Sequence, residues 1–229
     1  MTSFPGESDD YRRARDELLT AEIELRRRIA EVAAQRHALP LGGELPTDYA
    51  FQEWDPAVGA PRTVRFSELF ADGKDTLFVY SFMFKPGPEG PLDVPCNLCT
   101  SIIDGIDTTL PHLEQRINFA VVCKAPLERF QAHAHARGWR NARLLSSAGT
   151  TFNLDYNAET PDEEQFAMGH SFKRVDGRIH HCWSTELWFA DAEPGQNPRH
   201  VDFLWPLWSV LDRTPDGRGE SWFPQLSYD

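Results

Sequence analysis

Apolar positions open the chain at helical spacing. Leu18, Leu25, Val32 and Leu39 recur every seven residues, and Ala14, Ala21, Ile29 and Ala33 widen the stripe. This predicts one amphipathic helix over residues 11–39, with Asp9 and Asp10 favouring its amino end and Pro40, Gly42 and Gly43 stopping it. Arg12, Arg13, Arg15, Arg26, Arg27 and Arg28 read as its solvated face, interleaved with Glu22, Glu24 and Glu31 as helix pairs. A helix laid on its own domain is the simpler use of such a stripe. The length also permits a helical hairpin or a homodimer seam through this N-terminal helix, although three heptads with several alanines make a weak coiled coil.

Beyond residue 48 the period shortens. Residues 49–54 predict a short strand, 55–61 a loop, and 63–70 a strand entering a helical turn. Residues 76–84 form a near-continuous apolar, β-branched and aromatic run, the mark of a central strand buried on both faces. Residues 85–94 carry three prolines and two glycines and predict a loop. Leu98, Ile102, Ile106, Leu110 and Leu113 then mark a helix beginning near Cys96, which Gly105 and Pro111 should bend or split. A strand over 117–123, a helix over 127–138 and a strand over 143–147 follow, and an Asp176-Gly177 turn joins strands 171–175 and 178–185. The tail, 199–229, predicts a helix with a trailing arm. Strand, helix, strand, helix, strand is a βαβ succession, which requires right-handed crossovers and a sheet with a parallel portion. The expected organisation is an N-terminal amphipathic helix (1–45), an α/β domain (46–190) and a C-terminal extension packed on it (191–229).

Length and charge narrow the class. The 229 residues suit one sizeable domain with an appendage, and four cysteines are too few for a disulfide scaffold. The net charge of −12 argues against general nucleic-acid binding and against an anionic membrane surface. The amino end lacks a signal-peptide stretch and no window has the length of a membrane span, so a cytoplasmic location is expected. Cysteines there stay reduced, and any that matter are redox-active, metal-binding or buried.

The sharpest chemical signal is Cys96-Asn97-Leu98-Cys99. The pair follows a buried strand and a loop and opens a helix, where free helical amides and the positive helix end favour a thiolate. Cys96 is expected to be the exposed attacking thiolate, and Cys99, one turn on, the resolving thiol. Cys123, in an apolar strand, and Cys182, in His180-His181-Cys182, read as buried core cysteines. A zinc site combining Cys96 and Cys99 with His180 or His181 is chemically reasonable but does not match zinc-finger spacing. His133 and His135, two apart on a helix, point in different directions and are expected at the surface.

The order of elements over roughly residues 48–185 resembles the thioredoxin-like superfamily in its peroxiredoxin-type arrangement. The likeness rests on Tyr49-Ala50-Phe51, the segments 64–70 and 77–84, the Cys96 helix, residues 146–156 and the 175–179 hairpin. A closer resemblance is to a bacterial family of uncharacterised thioredoxin-like proteins described as predicted dithiol-disulfide oxidoreductases. It is carried by Ala38-Leu39-Pro40, the 80–84 strand, the Cys96/Cys99 pair, Ala125-Pro126-Leu127 and the 211–218 tail. The resemblance implies a thioredoxin-like mixed sheet flanked by helices, with catalysis by Cys96 and Cys99 and no cofactor. Its substrate would be a protein or small-molecule disulfide, and its electron donor a cellular thiol reductant. Thiol peroxidase chemistry on the same scaffold, or a non-catalytic metal- or partner-binding role, are the alternatives. The chain departs from the thioredoxin pattern at Val94-Pro95, where a tryptophan would stand, and at Met168-Gly169-His170-Ser171, which has no proline.

Overall fold

A computed structural model describes residues 3–191, 206–215 and 224–226, and the chain divides into two compact units, Met1–Leu41 and Gly42–Asp229. The first unit is essentially one helix, α1 (Asp9–His37), of 29 residues with none buried. Ser8 caps it by accepting the Tyr11 N–H at 3.2 Å, and Asp9 and Asp10 in the first turn and Arg36 and His37 in the last complement its dipole. Arg12–Asp16, Arg15–Glu22 and Arg28–Glu31 ion pairs run along it, while Leu18, Leu25 and Ile29 remain exposed.

The second unit is built on a seven-stranded mixed sheet ordered β2-β1-β7-β6-β3-β8-β9. Its strands are β1 (Ala50–Asp55), β2 (Ala60–Arg65), β3 (Thr76–Phe82), β6 (Asn118–Cys123), β7 (Leu144–Ser146), β8 (Met168–Val175) and β9 (Arg178–Ser184). β3, β6 and β7 are mutually parallel, whereas β1, β2, β8 and β9 join antiparallel. The helices are α2 (Asn97–Ile106), α3 (Leu110–Leu113), α4 (Leu127–Arg137), α5 (Phe152–Asp155) and α6 (Pro206–Leu211). This is the expected α/β arrangement, a mixed sheet flanked by helices.

The alternation of side chains along β3 and β6 separates two cores. Tyr80 and Phe82 from β3, with Phe119, Val121 and Cys123 from β6, pack on one face with α2 and α4. Leu77 and Val79, with Ala120 and Val122, pack on the other against Tyr49, Phe51, Phe66, Phe152 and Phe172. The expected split of the long helix occurs: α2 passes through a 3-10 turn (Asp107–Thr109) into α3, with Pro111 in the first turn of α3, where no N–H is needed. Asp107, 5% exposed, fixes this junction by accepting the N–H groups of Arg140, Asn141 and Ala142 at 2.9–3.1 Å.

Two expectations fail locally. Residues 85–94 are not a loop but most of a two-stranded hairpin, β4 (Phe84–Gly87) and β5 (Gly90–Pro95), in which Phe84 pairs with Pro95 and Lys85 with Val94. Its prolines are tolerated because neither strand has a second neighbour, and a bulge between Lys85 and Gly87 absorbs Pro86. Gly87 suits this turn of the chain, since a Cβ there would crowd the side chains of Asp93 and Val94 and force them to shift. The loop expected over 55–61 is likewise shorter, because β2 starts at Ala60 and takes Pro61 into an edge position. Along the outer side of β9 the chain itself adds a strap: Gly42 N–H donates to His181 O, His181 N–H to Gly43 O, and Leu45 N–H to Ile179 O at 2.8–3.0 Å. Of the expected C-terminal helix the described part is α6, whose Leu207 and Leu211 pack against the core on the α2 face. Most of residues 199–229 lie outside the described residues.

Candidate active site

Cys96 is the N-cap residue of α2, with extended backbone at φ −69° and ψ 123°, and its N–H donates to Met83 O at 3.1 Å. That bond ties the start of the helix to the residue following the central strand. Cys99 sits in the first turn on the same buried side, and both thiols are free. The Cys96 thiol is pulled down to about 6, first by a hydrogen bond from the Cys99 thiol, against burial, and then by the Cys99 N–H, the Lys85 charge and the Leu98 N–H. These amides are among the unpaired donors of a helix start, which is the expected origin of an acidic thiol. Cys99 moves the opposite way, well above its ordinary value, because of burial and then the neighbouring Cys96 sulfur, with Tyr80 and Met83 N–H working against the rise. One member of the pair is therefore the acid and the other the proton store.

One expectation about Cys96 is corrected. It is not exposed: it is 1% accessible and Cys99 is 0%, both inside the cluster formed by Tyr80, Phe82, Phe84 and Ile102. Met83, Leu92 and Leu98 pack around that cluster as partly buried side chains. A cavity of about 570 Å³ opens beside it, lined by Met83, Phe84, Lys85, Leu92 and Gln165 among others. The hairpin carrying Leu92 is clasped by Arg129 of α4, which donates to Leu92 O at 3.1 Å and Asp93 Oδ1 at 2.7 Å.

His133 is also corrected. It is half-buried, and its Nε2 lies 3.0 Å from Thr100 Oγ1, while His135 is exposed as expected. Thr100 directs its single hydroxyl proton to Cys96 O at 2.9 Å, so the imidazole must donate from Nε2. Burial and then Arg137 lower the His133 pKa, against Asp104, which favours the neutral ring. The rings of Phe82, Phe84 and Trp139 surround it with centroids 5.3–6.2 Å away. A legible signal was missed here: Leu127, Phe130 and Ala134 mark the buried side of α4, and His133, three residues after Phe130, borders it. Thr100 stands four residues after Cys96, the spacing at which a side chain reaches back to a carbonyl.

The other cysteines and histidines do not join the pair. Cys123 is fully buried on the same sheet face, its thiol raised by burial and directed at Ala125 O, 3.7 Å away. Cys182 is only half-buried, against expectation: Ser171 pairs with Trp183 and Phe172 with His181, so Cys182 is the extra residue of a bulge in β9. His181 packs against Tyr156 and Phe172 on the opposite face from the dithiol, and His180 lies at the outer edge, 3.3 Å from Gly42 O. The Cys96, Cys99 and His180 or His181 grouping is not formed, and no group of three or more His, Cys, Asp or Glu among the described residues is placed to hold a metal. No described helix is long and apolar enough to cross a membrane.

Residues 1–228 match the family described as bacterial protein of unknown function (DUF899), and the chain belongs to that family. No curated protein matches it. Among solved structures it is similar to the peroxidoxin BcpB of Mycobacterium tuberculosis, at 14% identity and a TM-score of 0.45 over 72% of this chain and 94% of that one. It is also similar to a putative protein disulfide isomerase of Bacteroides thetaiotaomicron, at 15% identity and a TM-score of 0.43 over 73% of this chain and 87% of that one.

Proposed function

We propose that this chain is a cytoplasmic thiol-disulfide oxidoreductase with Cys96 as nucleophile and Cys99 as resolving thiol. The observation that carries the reading is the asymmetry of the pair, with Cys96 held near 6 by helix-start amides and its partner, and Cys99 held protonated by burial. At pH 7 a thiol of that acidity is about nine-tenths thiolate. The Cys96 thiolate attacks one sulfur of a protein or small-molecule disulfide, forming a mixed disulfide and expelling the other sulfur as a thiolate. Cys99 then attacks Cys96 Sγ, its proton passes to the departing substrate thiolate, and a Cys96–Cys99 disulfide closes. A cellular thiol reductant restores the dithiol, and no cofactor takes part. Because Cys96 is 1% exposed, substrate enters by way of the adjoining cavity, with Leu92 and Met83 moving aside.

Thiol titration with mass spectrometry across glutathione redox buffers tests this directly. The expected result is a reversible Cys96–Cys99 disulfide, Cys96 alkylation titrating near pH 6, and disulfide reduction lost in Cys96→Ser. A Cys96 thiol with ordinary acidity and no Cys96-dependent turnover would rule the reading out. Rapid conversion of Cys96 to a sulfenic acid by peroxide, with slow attack on disulfides, would instead assign a thiol peroxidase.

A further inference from the structure

Tyr80 stands at the middle of β3, which is flanked on both sides by β6 and β8, and alternation puts its ring on the α2 face with Phe82. The residue is 0% exposed, yet its hydroxyl oxygen has no hydrogen bond of ordinary geometry. A buried hydroxyl without a partner is costly, and phenylalanine would fill the same space without that cost. A donor so poorly paired at such a place calls for an acceptor that becomes strong in only one state of the protein, as a thiol does on becoming a thiolate. The members of its cluster that can become charged are the thiols, and beyond burial the influences on Tyr80 are the charge of Cys99, then a hydrogen-bonding interaction with the Cys99 side chain too loose to satisfy the hydroxyl, then the charge of Cys96.

We propose, resting on the oxidoreductase reading above, that Tyr80 is a catalytic residue of the dithiol: its hydroxyl donates a hydrogen bond to Cys99 Sγ whenever that sulfur bears the negative charge. In the forward direction this happens as Cys99 loses its proton and attacks the mixed disulfide at Cys96. In the reverse direction an external thiolate attacks Cys96 Sγ and the Cys96–Cys99 bond breaks. The new bond joins the external sulfur to Cys96, and Cys99 leaves with the electron pair. The same donor serves both directions, as microscopic reversibility demands. Tyr80 is suited to give a hydrogen bond without giving up its proton, because burial holds its own pKa well above the ordinary tyrosine value. The effect on Cys99 is reciprocal, since the Tyr80 hydroxyl opposes the rise that burial imposes on that thiol. The other groups bearing on the pair are Met83 N–H on Cys99, Lys85 on Cys96, and His133 through Thr100.

The experiment compares the full chain with Tyr80→Phe and with a fluorinated tyrosine placed at position 80, which keeps the shape and strengthens the donor. Each protein is oxidised to the Cys96–Cys99 disulfide. It is then opened by excess small monothiol, with acid quench, alkylation and mass spectrometry across pH. Loss of a hydrogen bond to a leaving thiolate should slow opening by about tenfold in Tyr80→Phe, and the fluorinated protein should open faster than the unmodified one. The Cys96 titration near pH 6 should remain in place, and the thermal midpoint of Tyr80→Phe should be equal or higher. Wild-type opening rates in both variants would overturn the assignment and leave Tyr80 a packing residue. Failure of the unmodified chain to form the Cys96–Cys99 disulfide would instead overturn the oxidoreductase reading, and this inference with it.

Discussion

If the folded protein holds the Cys96 thiolate as described, its stability must depend on pH in the reduced state. A thiol with a folded pKa near 6 and an unfolded one near 9.0 stabilises the fold fully above the unfolded value and loses that contribution as pH falls through the folded value. Between pH 7 and 8.5 the reduced chain should therefore gain about 2 kcal/mol of unfolding free energy from this group alone. His133, His170 and His181, all lowered by burial, add slightly to the gain over this range. Cys99, Cys123 and Cys182, all raised by burial, subtract slightly as their unfolded counterparts begin to ionise. Cys96→Ser retains those opposing contributions and removes only the one of interest. Urea unfolding in excess reductant at pH 7.0 and 8.5, followed by far-ultraviolet circular dichroism, measures all four free energies at those buffer values. The gain should be present in the unmodified chain and largely absent from the serine variant. An equal gain in both proteins, or a flat profile in the unmodified one, would refute the account of Cys96 acidity.

Three further outcomes follow from side chains outside the thiols. Thr100→Val keeps the shape but leaves Cys96 O with one donor fewer and His133 Nε2–H without its acceptor, and should cost about 1–3 kcal/mol in urea unfolding. Asp107→Ala strands the three backbone N–H groups of residues 140–142 and should cost about 3 kcal/mol or more, with the urea dependence unchanged. Gly87→Ala forces Asp93 or Val94 to move, and should lower stability by about 1–3 kcal/mol, with amide exchange accelerated in β4 and β5 before β3.

Most of the sheet was legible because its strands carry their burial in the sequence. The run in β3 has no charged residue to place at a surface, and β6 is buried at every position, so both read as central strands. The split of the helix after Cys96 was legible from Gly105 and Pro111, and the Asp176-Gly177 turn from its dipeptide. The β4–β5 hairpin was hidden because prolines and glycines signal loops locally, whereas pairing between Phe84 and Pro95 is a property of two segments together. Burial of Cys96 was hidden for a related reason. A helix start is ordinarily open to water, and side chains brought in from elsewhere, Leu92 from the hairpin and Met83 from the link between β3 and β4 among them, help to close this one. Tyr80 was visible in the strand but only as one more aromatic residue, because an unpaired hydroxyl is recognised by what does not surround it.

The strap along β9 bears on a different matter, how the molecule keeps from sticking to itself. An open sheet has two edges, and each offers a row of unpaired amides and carbonyls on which another chain can grow. On the β9 side, Gly42, Gly43 and Leu45 occupy that row within the same chain. The fit depends on glycine, since a Cβ at position 42 would lie 2.5 Å from His181 O. On the far side, β2 interrupts its row with Pro61 and displays Arg62 and Arg65, which penalise a neighbouring strand by lost hydrogen bonding and by charge. The sheet is thus finished at both ends by different chemical means, a backbone seal at one and a proline with arginines at the other. An enlarged side chain at position 42 would peel back the seal and turn β9 into a template for aggregation, leaving the thiols untouched.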